Sequence, residues 1–101
     1  MPKVFETDGF AQEARKLTKK QQEQIEKIKD RLAENLQIGK ILGYPFLREK
    51  RIQDKRVYFL NYGEFNAALL VAISDKKTQR ATIGKIEKHL PEFKELMEKI
   101  I

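Results

Sequence analysis

The spacing of apolar residues changes along this chain, and each change predicts a different structural element. In residues 10–36 they recur every three or four positions, which places them on one face of a helix. Thr18 followed by Gln21 has the composition of a capping box and predicts the start of a second helix. We therefore predict two helices, 10–17 and 18 to about 35, each with one apolar face.

The middle of the chain has the pattern of β-strands. Leu42–Tyr62 contains two runs of alternating basic and apolar residues around a polar turn at Gln53-Asp54, which predicts a β-hairpin. Gly39–Pro45 leads into this hairpin as a loop. Ala67–Ile73 is apolar at every position, as expected of an inner strand, and Lys3–Thr7 is a short strand before the helices.

The C-terminal segment is helical again, after a polar and basic loop at Ser74–Thr82. Its apolar residues recur at intervals of three and four: Ile83, Ile86, Leu90, Phe93, Met97 and Ile100. Pro91 lacks a backbone N–H and disfavours helical geometry in the preceding residue, so we expect a break near Leu90. This stripe either packs on the domain's own sheet or docks a partner helix.

The predicted order is β-α-α-β-β-β-α in a single domain, residues 1–101. This order belongs to the α+β class, with a small and mainly antiparallel sheet, an N-terminal helical hairpin on one face, and a C-terminal helix. We expect the opposite face of the sheet to be open to solvent and to carry the basic side chains.

The amino-acid composition limits the partners and the kinds of site that this chain can have. The 101 residues include 21 Lys and Arg against 15 Asp and Glu, a formal charge of +6, which favours an anionic partner such as nucleic acid, the ribosome or an acidic protein. The absence of cysteine excludes disulfides and cysteine-based metal or redox chemistry, and His89 is the only histidine. Without a spanning apolar run or a secretory signal, we expect a cytoplasmic protein with no membrane contact.

The basic residues of the hairpin are the candidates for a binding site. Side chains two apart in a strand share a face, so Arg48 lies with Lys50, and Arg56 lies with Tyr58. We expect them to converge on one side of the sheet, where Tyr58 and Tyr62 offer planes for base stacking. Five further cations extend this surface: Arg51, Lys55, Lys76, Lys77 and Arg80. Such a surface suits a polyanion.

The order of several short motifs resembles the RelE/ParE superfamily of type II toxins. After the helical hairpin these motifs are Gly39-Lys40, Leu42-Gly43, Leu47-Arg48-Glu49 and Lys55–Phe59. The segment Lys76–Thr82, followed by Ile86-Glu87-Lys88, resembles the phage-derived, HigB-like branch. The resemblance covers roughly Val4 to Leu96.

This resemblance implies an endoribonuclease that cleaves mRNA on the ribosome, needs no metal or small-molecule cofactor, and is neutralised by a cognate antitoxin protein. In such enzymes the mRNA 2′-hydroxyl attacks the adjacent phosphate while basic side chains stabilise the developing charge. Carried over position by position, the catalytic residues are Arg48, Lys50, Arg56 and Lys77. The implied RNA-binding residues are Arg51, Lys55, Tyr58, Lys76 and Arg80.

Two departures from the family pattern leave the proton acceptor open. RelE-like enzymes carry a C-terminal tyrosine where this chain has Ala81-Thr82-Ile83, and Lys55 replaces an aromatic residue of many members. The candidates for the base are Glu49, Tyr58 and Lys50, and catalysis by charge stabilisation alone is an alternative. Two other functions fit the pattern: a ParE-like inhibitor of DNA gyrase without catalysis, and an inactive domain that binds RNA or the ribosome.

Overall fold

A computed structural model of the chain, covering residues 1–101, shows a five-stranded sheet between two layers of helices. The strands are β1 (Lys3–Glu6), β2 (Lys40–Leu42), β3 (Tyr44–Ile52), β4 (Lys55–Tyr62) and β5 (Ala67–Asp75). The helices are α1 (Asp8–Arg15), α2 (Lys19–Glu34), α3 (Gln79–Lys88) and α4 (Leu90–Ile100). The spatial order of the strands is β1-β5-β4-β3-β2, in which only β1 and β5 run parallel. The predicted α+β class is confirmed.

The N-terminal helices begin at the predicted caps. Thr7 Oγ1 accepts a hydrogen bond from the Phe10 backbone N–H at 3.0 Å. Thr18 and Gln21 form a reciprocal capping box, with both hydrogen bonds 3.1 Å long. The Gln21 side-chain amide also donates to Asp54 Oδ1 at 3.1 Å. The start of α2 is thereby tied to the turn of the β3–β4 hairpin.

Helices α1 and α2 cover one face of the sheet, as predicted. Their buried side chains pack against the apolar residues of β3, β4 and β5 on that face: Phe10, Ile25, Ile28 and Leu32 against Ile52, Val57, Phe59, Ala68 and Leu70. Fully burying a large apolar side chain contributes about 1.5–3 kcal/mol, so this layer is a main source of stability.

The other face of the sheet is covered as well. Ile86 of α3 and Met97 of α4 are buried against it, beside Leu47, Leu60 and Leu69. The expectation of a solvent-exposed face is therefore wrong, because the strands are apolar on both faces and the C-terminal stripe supplies the second layer. The stripe thus packs on the domain's own sheet.

The break in the C-terminal helix is confirmed, whereas two predicted loops are shorter than expected. Pro91 lies in the first turn of α4, where its missing N–H removes no helical hydrogen bond. The predicted loop 39–45 contains β2, flanked by Gly39 and Gly43 with φ of 87° and 78°. The predicted loop 74–82 is reduced to 76–78, since β5 ends at Asp75 and α3 begins at Gln79. Asp75 Oδ1 closes this short loop by accepting hydrogen bonds from the N–H and the hydroxyl of Thr78, each 2.9 Å long.

Candidate nucleic-acid interface

The strand register divides the basic residues of the hairpin between the two faces of the sheet. Directly opposite residues of an antiparallel pair share a face. Arg56 lies opposite Arg51, on the face covered by α3 and α4, whereas Lys50 lies opposite Val57, on the face covered by α1 and α2, together with Arg48. The expected convergence of Arg48, Lys50 and Arg56 is therefore wrong. The two-residue turn sets this register, and a shift of one residue would exchange the faces.

Arg48 is engaged within the protein. The residue is only 7% exposed, and its guanidinium donates to the Pro45 carbonyl at 2.8 Å, the Ile38 carbonyl at 3.1 Å and Gln37 Oε1 at 2.8 Å. These bonds hold the segment 37–45 against β3. The catalytic role of Arg48 stays a prediction, and its contacts favour an anchoring role.

Neither tyrosine on the Arg56 face is open for base stacking. Tyr58 is fully buried, and its hydroxyl oxygen lies 2.8 Å from Ser74 Oγ. Burial raises the pKa of Tyr58, although the hydrogen bond with Ser74 opposes this. Tyr62 is also buried, which raises its pKa to about 12. The predicted stacking surface is therefore absent, since both rings belong to the core beneath α3 and α4.

A polar cluster lies on this same face, made of Glu49 on β3, Arg56 on β4 and Gln79 at the start of α3. The Gln79 amide donates to Glu49 Oε1 at 2.6 Å, and Glu49 Oε2 is 3.9 Å from an Arg56 guanidinium nitrogen. Glu49 is 6% exposed, and the Arg56 side chain is 15% exposed. The Arg56 Nε makes no hydrogen bond within the protein. The cluster therefore pairs a fixed carboxylate with a guanidinium that has donor capacity to spare.

Exposed cations lie at the same end of the sheet as this cluster. Lys55 lies opposite Asp75, so the hairpin turn and the 76–78 loop are neighbours. We call the cations on or beside the α3 face at this end of the sheet the basic end: Arg51, Arg56, Lys76, Lys77 and Arg80. All but Arg56 are exposed, and the positive end of the α3 dipole lies among them. Lys50 and Lys55 are half-buried on the opposite face.

Asp75 fixes the loop that carries two of these lysines. Its hydrogen bond from the Thr78 N–H lowers the pKa of this carboxyl, so it stays ionised at neutral pH. The sequence does not predict the contacts of Ser74 and Gln79. Nothing in the local pattern marks Ser74 as a partner of Tyr58 or Gln79 as a partner of Glu49.

The basic end can hold phosphates, and the cluster beside it can exchange a proton. No three His, Asp or Glu side chains are grouped as metal ligands would be. None of the helices combines the length and apolar composition needed to cross a bilayer.

The arrangement of strands and helices is that of the RelE fold. The isolated E. coli RelE toxin superposes with a TM-score of 0.66 at 16% identity, covering 85% of this chain and 99% of that one. A double arginine-to-alanine mutant of E. coli RelE in the free state gives 0.73 at 15% identity, covering 86% and 96%. In the intact E. coli RelBE toxin–antitoxin complex the values are 0.66 and 18%, covering 74% and 96%.

These structures share the fold with this chain at low sequence identity. No family profile matches the sequence, and no curated protein matches it significantly. The resemblance to RelE predicted from the sequence is confirmed by the structural similarity.

Proposed function

We propose that this protein is a toxin of the RelE kind, an endoribonuclease that cleaves mRNA on the ribosome in the cytoplasm and is neutralised by a cognate antitoxin. The observation that carries the proposal is the basic end beside the Glu49 cluster, on a RelE fold. The segment Lys76–Thr82 favours the HigB-like branch. E. coli RelE, which has the same fold, has been solved with its antitoxin RelB, and this supports an antitoxin partner.

In this proposal the scissile phosphate lies against Arg56 and the 76–78 loop. The mRNA 2′-hydroxyl attacks phosphorus, and the guanidinium of Arg56 with the ammonium of Lys77 neutralises charge that grows on the phosphate oxygens. Arg51, Lys76 and Arg80 bind flanking phosphates and make binding salt-dependent. Lys50, on the other face, contacts RNA or ribosome away from the scissile bond, whereas Lys55 contacts RNA beside the 76–78 loop.

The test is cleavage of mRNA on programmed ribosomes by wild type, Arg56→Ala and Lys50→Ala. We expect Arg56→Ala to slow cleavage by about 10²–10³-fold, as for loss of one transition-state donor. Lys50→Ala removes a cation from the same hairpin but from the opposite face, and we expect it to cleave within several-fold of wild type. Arg56→Lys keeps a charge beside Glu49 and separates lost catalysis from lost folding, which thermal unfolding also monitors.

Three outcomes would contradict the proposal. Intact message at excess wild-type protein would exclude the activity. Inhibition of gyrase supercoiling without RNA cleavage would favour a ParE-like inhibitor. Ribosome binding with a steep salt dependence but no cleavage would favour an inactive binding domain.

A further inference from the structure

The proton acceptor for the attacking 2′-hydroxyl can be chosen from the structure, on the basis of the function proposed above. Lys50 lies on the opposite face of the sheet from Arg56, and therefore on the far side of the sheet from a phosphate that Arg56 holds. Tyr58 is fully buried, and its hydroxyl is paired with Ser74. Glu49 also shares the face of Arg56, and unlike Tyr58 it has a carboxylate oxygen beside the Arg56 guanidinium. We propose that Glu49 is the catalytic proton acceptor.

The two oxygens of Glu49 have different surroundings. Oε1 accepts the 2.6 Å hydrogen bond from Gln79, which fixes the carboxylate plane. Oε2 is 3.9 Å from the Arg56 guanidinium nitrogen, beyond hydrogen-bond distance, and the proposal assigns the proton to this oxygen. The Tyr58 hydroxyl also lies near the Glu49 carboxylate. Glu49 is in the middle of β3, paired with β4, and its backbone is therefore rigid. A base held in this way needs no reorientation before the 2′-hydroxyl comes within hydrogen-bond reach.

Gln79 orients the Glu49 carboxylate. It is the first residue of α3, next to the exposed 76–78 loop, and its amide donates to Oε1 of Glu49, a residue that is 6% exposed. Gln79 is therefore a positioning residue, which fixes the carboxylate beside Arg56.

Glu49 Oε2 takes the proton of the 2′-hydroxyl as the 2′-oxygen forms its bond to phosphorus. The bond from phosphorus to the 5′-oxygen breaks, and its electron pair leaves with that oxygen, which takes a proton from water. The products are a 2′,3′-cyclic phosphate and a 5′-hydroxyl, and Glu49 returns its proton to solvent.

The experiment is single-turnover cleavage on programmed ribosomes by wild type, Glu49→Gln and Glu49→Ala. Glutamine keeps the size of the side chain and an oxygen for Gln79 but cannot take the proton, so we expect cleavage to slow by about 10²–10⁴-fold. Ribosome binding should stay within twofold of wild type. Because Glu49→Ala leaves space for a small carboxylate, we expect formate to restore part of its activity and an equal concentration of chloride to restore none.

Each result decides between distinct conclusions. If wild type cleaves mRNA and Glu49→Gln cleaves it within threefold of the wild-type rate or faster, the role of Glu49 is overturned and the proposed function stands. A faster variant would mean that Glu49 only neutralises Arg56. Absence of cleavage by wild type would overturn both proposals. Failure of formate to act on folded Glu49→Ala would also count against proton transfer, whatever the behaviour of the glutamine variant.

Discussion

Replacement of Arg48 by alanine tests whether this residue anchors the segment 37–45 or acts in catalysis. The wild-type side chain makes three hydrogen bonds, to Pro45, Ile38 and Gln37, from a residue that is 7% exposed. A hydrogen bond to a charged group contributes about 1.5–3 kcal/mol. The three contributions do not add in full, because water can reach the carbonyl oxygens once the segment 37–45 relaxes. We therefore expect Arg48→Ala to lower the free energy of unfolding by about 2–4 kcal/mol.

Thermal unfolding measures this loss. For a domain of this size, 1 kcal/mol corresponds to about 4–8 °C in melting temperature, so the expected shift is on the order of 10–20 °C. Arg51→Ala is the matched control on the same strand, since Arg51 is exposed and makes one side-chain hydrogen bond, to the Gln53 carbonyl at 3.1 Å. Its effect should stay within about 0.5 kcal/mol.

The opposite pattern would refute this reasoning. If Arg48→Ala melts within about 3 °C of wild type, less than 1 kcal/mol, its hydrogen bonds do not anchor the segment. If the same variant also loses mRNA cleavage, Arg48 acts on the substrate, as the sequence resemblance implies.

Two further predictions concern stability. Gly39→Ala should destabilise the protein by about 1–3 kcal/mol in urea unfolding, because φ there is 87° and the new Cβ would lie 2.9 Å from a ring carbon of Phe59. Gly84→Ala is the control: its Cβ would have no neighbour within 4 Å, so the change should be neutral or stabilising, and equal effects of the two variants would contradict this. Lys29 is 2.6 Å from Glu6, and although burial lowers its pKa, the hydrogen bonds to neighbouring carboxylates outweigh burial and raise it above 10.5. Because the pKa of Lys29 is higher in the folded than in the unfolded protein, its ion pairs stabilise the fold fully below the unfolded pKa, and this stabilisation is lost as pH rises through the folded pKa. The difference in unfolding free energy between wild type and Lys29→Met should therefore shrink above pH 10.5. A difference that grew there would have the wrong sign.

Local signals in the sequence were enough to locate most elements. Thr18 with Gln21 marks the start of α2 because a capping box involves only neighbouring residues. Pro91 marks the start of α4, because a residue without a backbone N–H is tolerated in the first turn of a helix. The hairpin turn at Gln53-Asp54 was equally visible, since its residues are polar between two strand-like runs. The resemblance to RelE also came from the sequence, through the order of short motifs.

What surrounds the basic residues was decided only by the tertiary structure. Their division between the faces follows from the turn at Gln53-Asp54, because a two-residue turn sets the register that places Arg48 and Lys50 on one face and Arg56 on the other. The pairing of Glu49 with Gln79 joins residues 30 apart in the chain, and no local spacing encodes such a contact. The sequence thus determined a basic RelE-like domain with its cations near the hairpin, whereas packing on both faces of the sheet determined that the candidate site centres on Glu49 and Arg56.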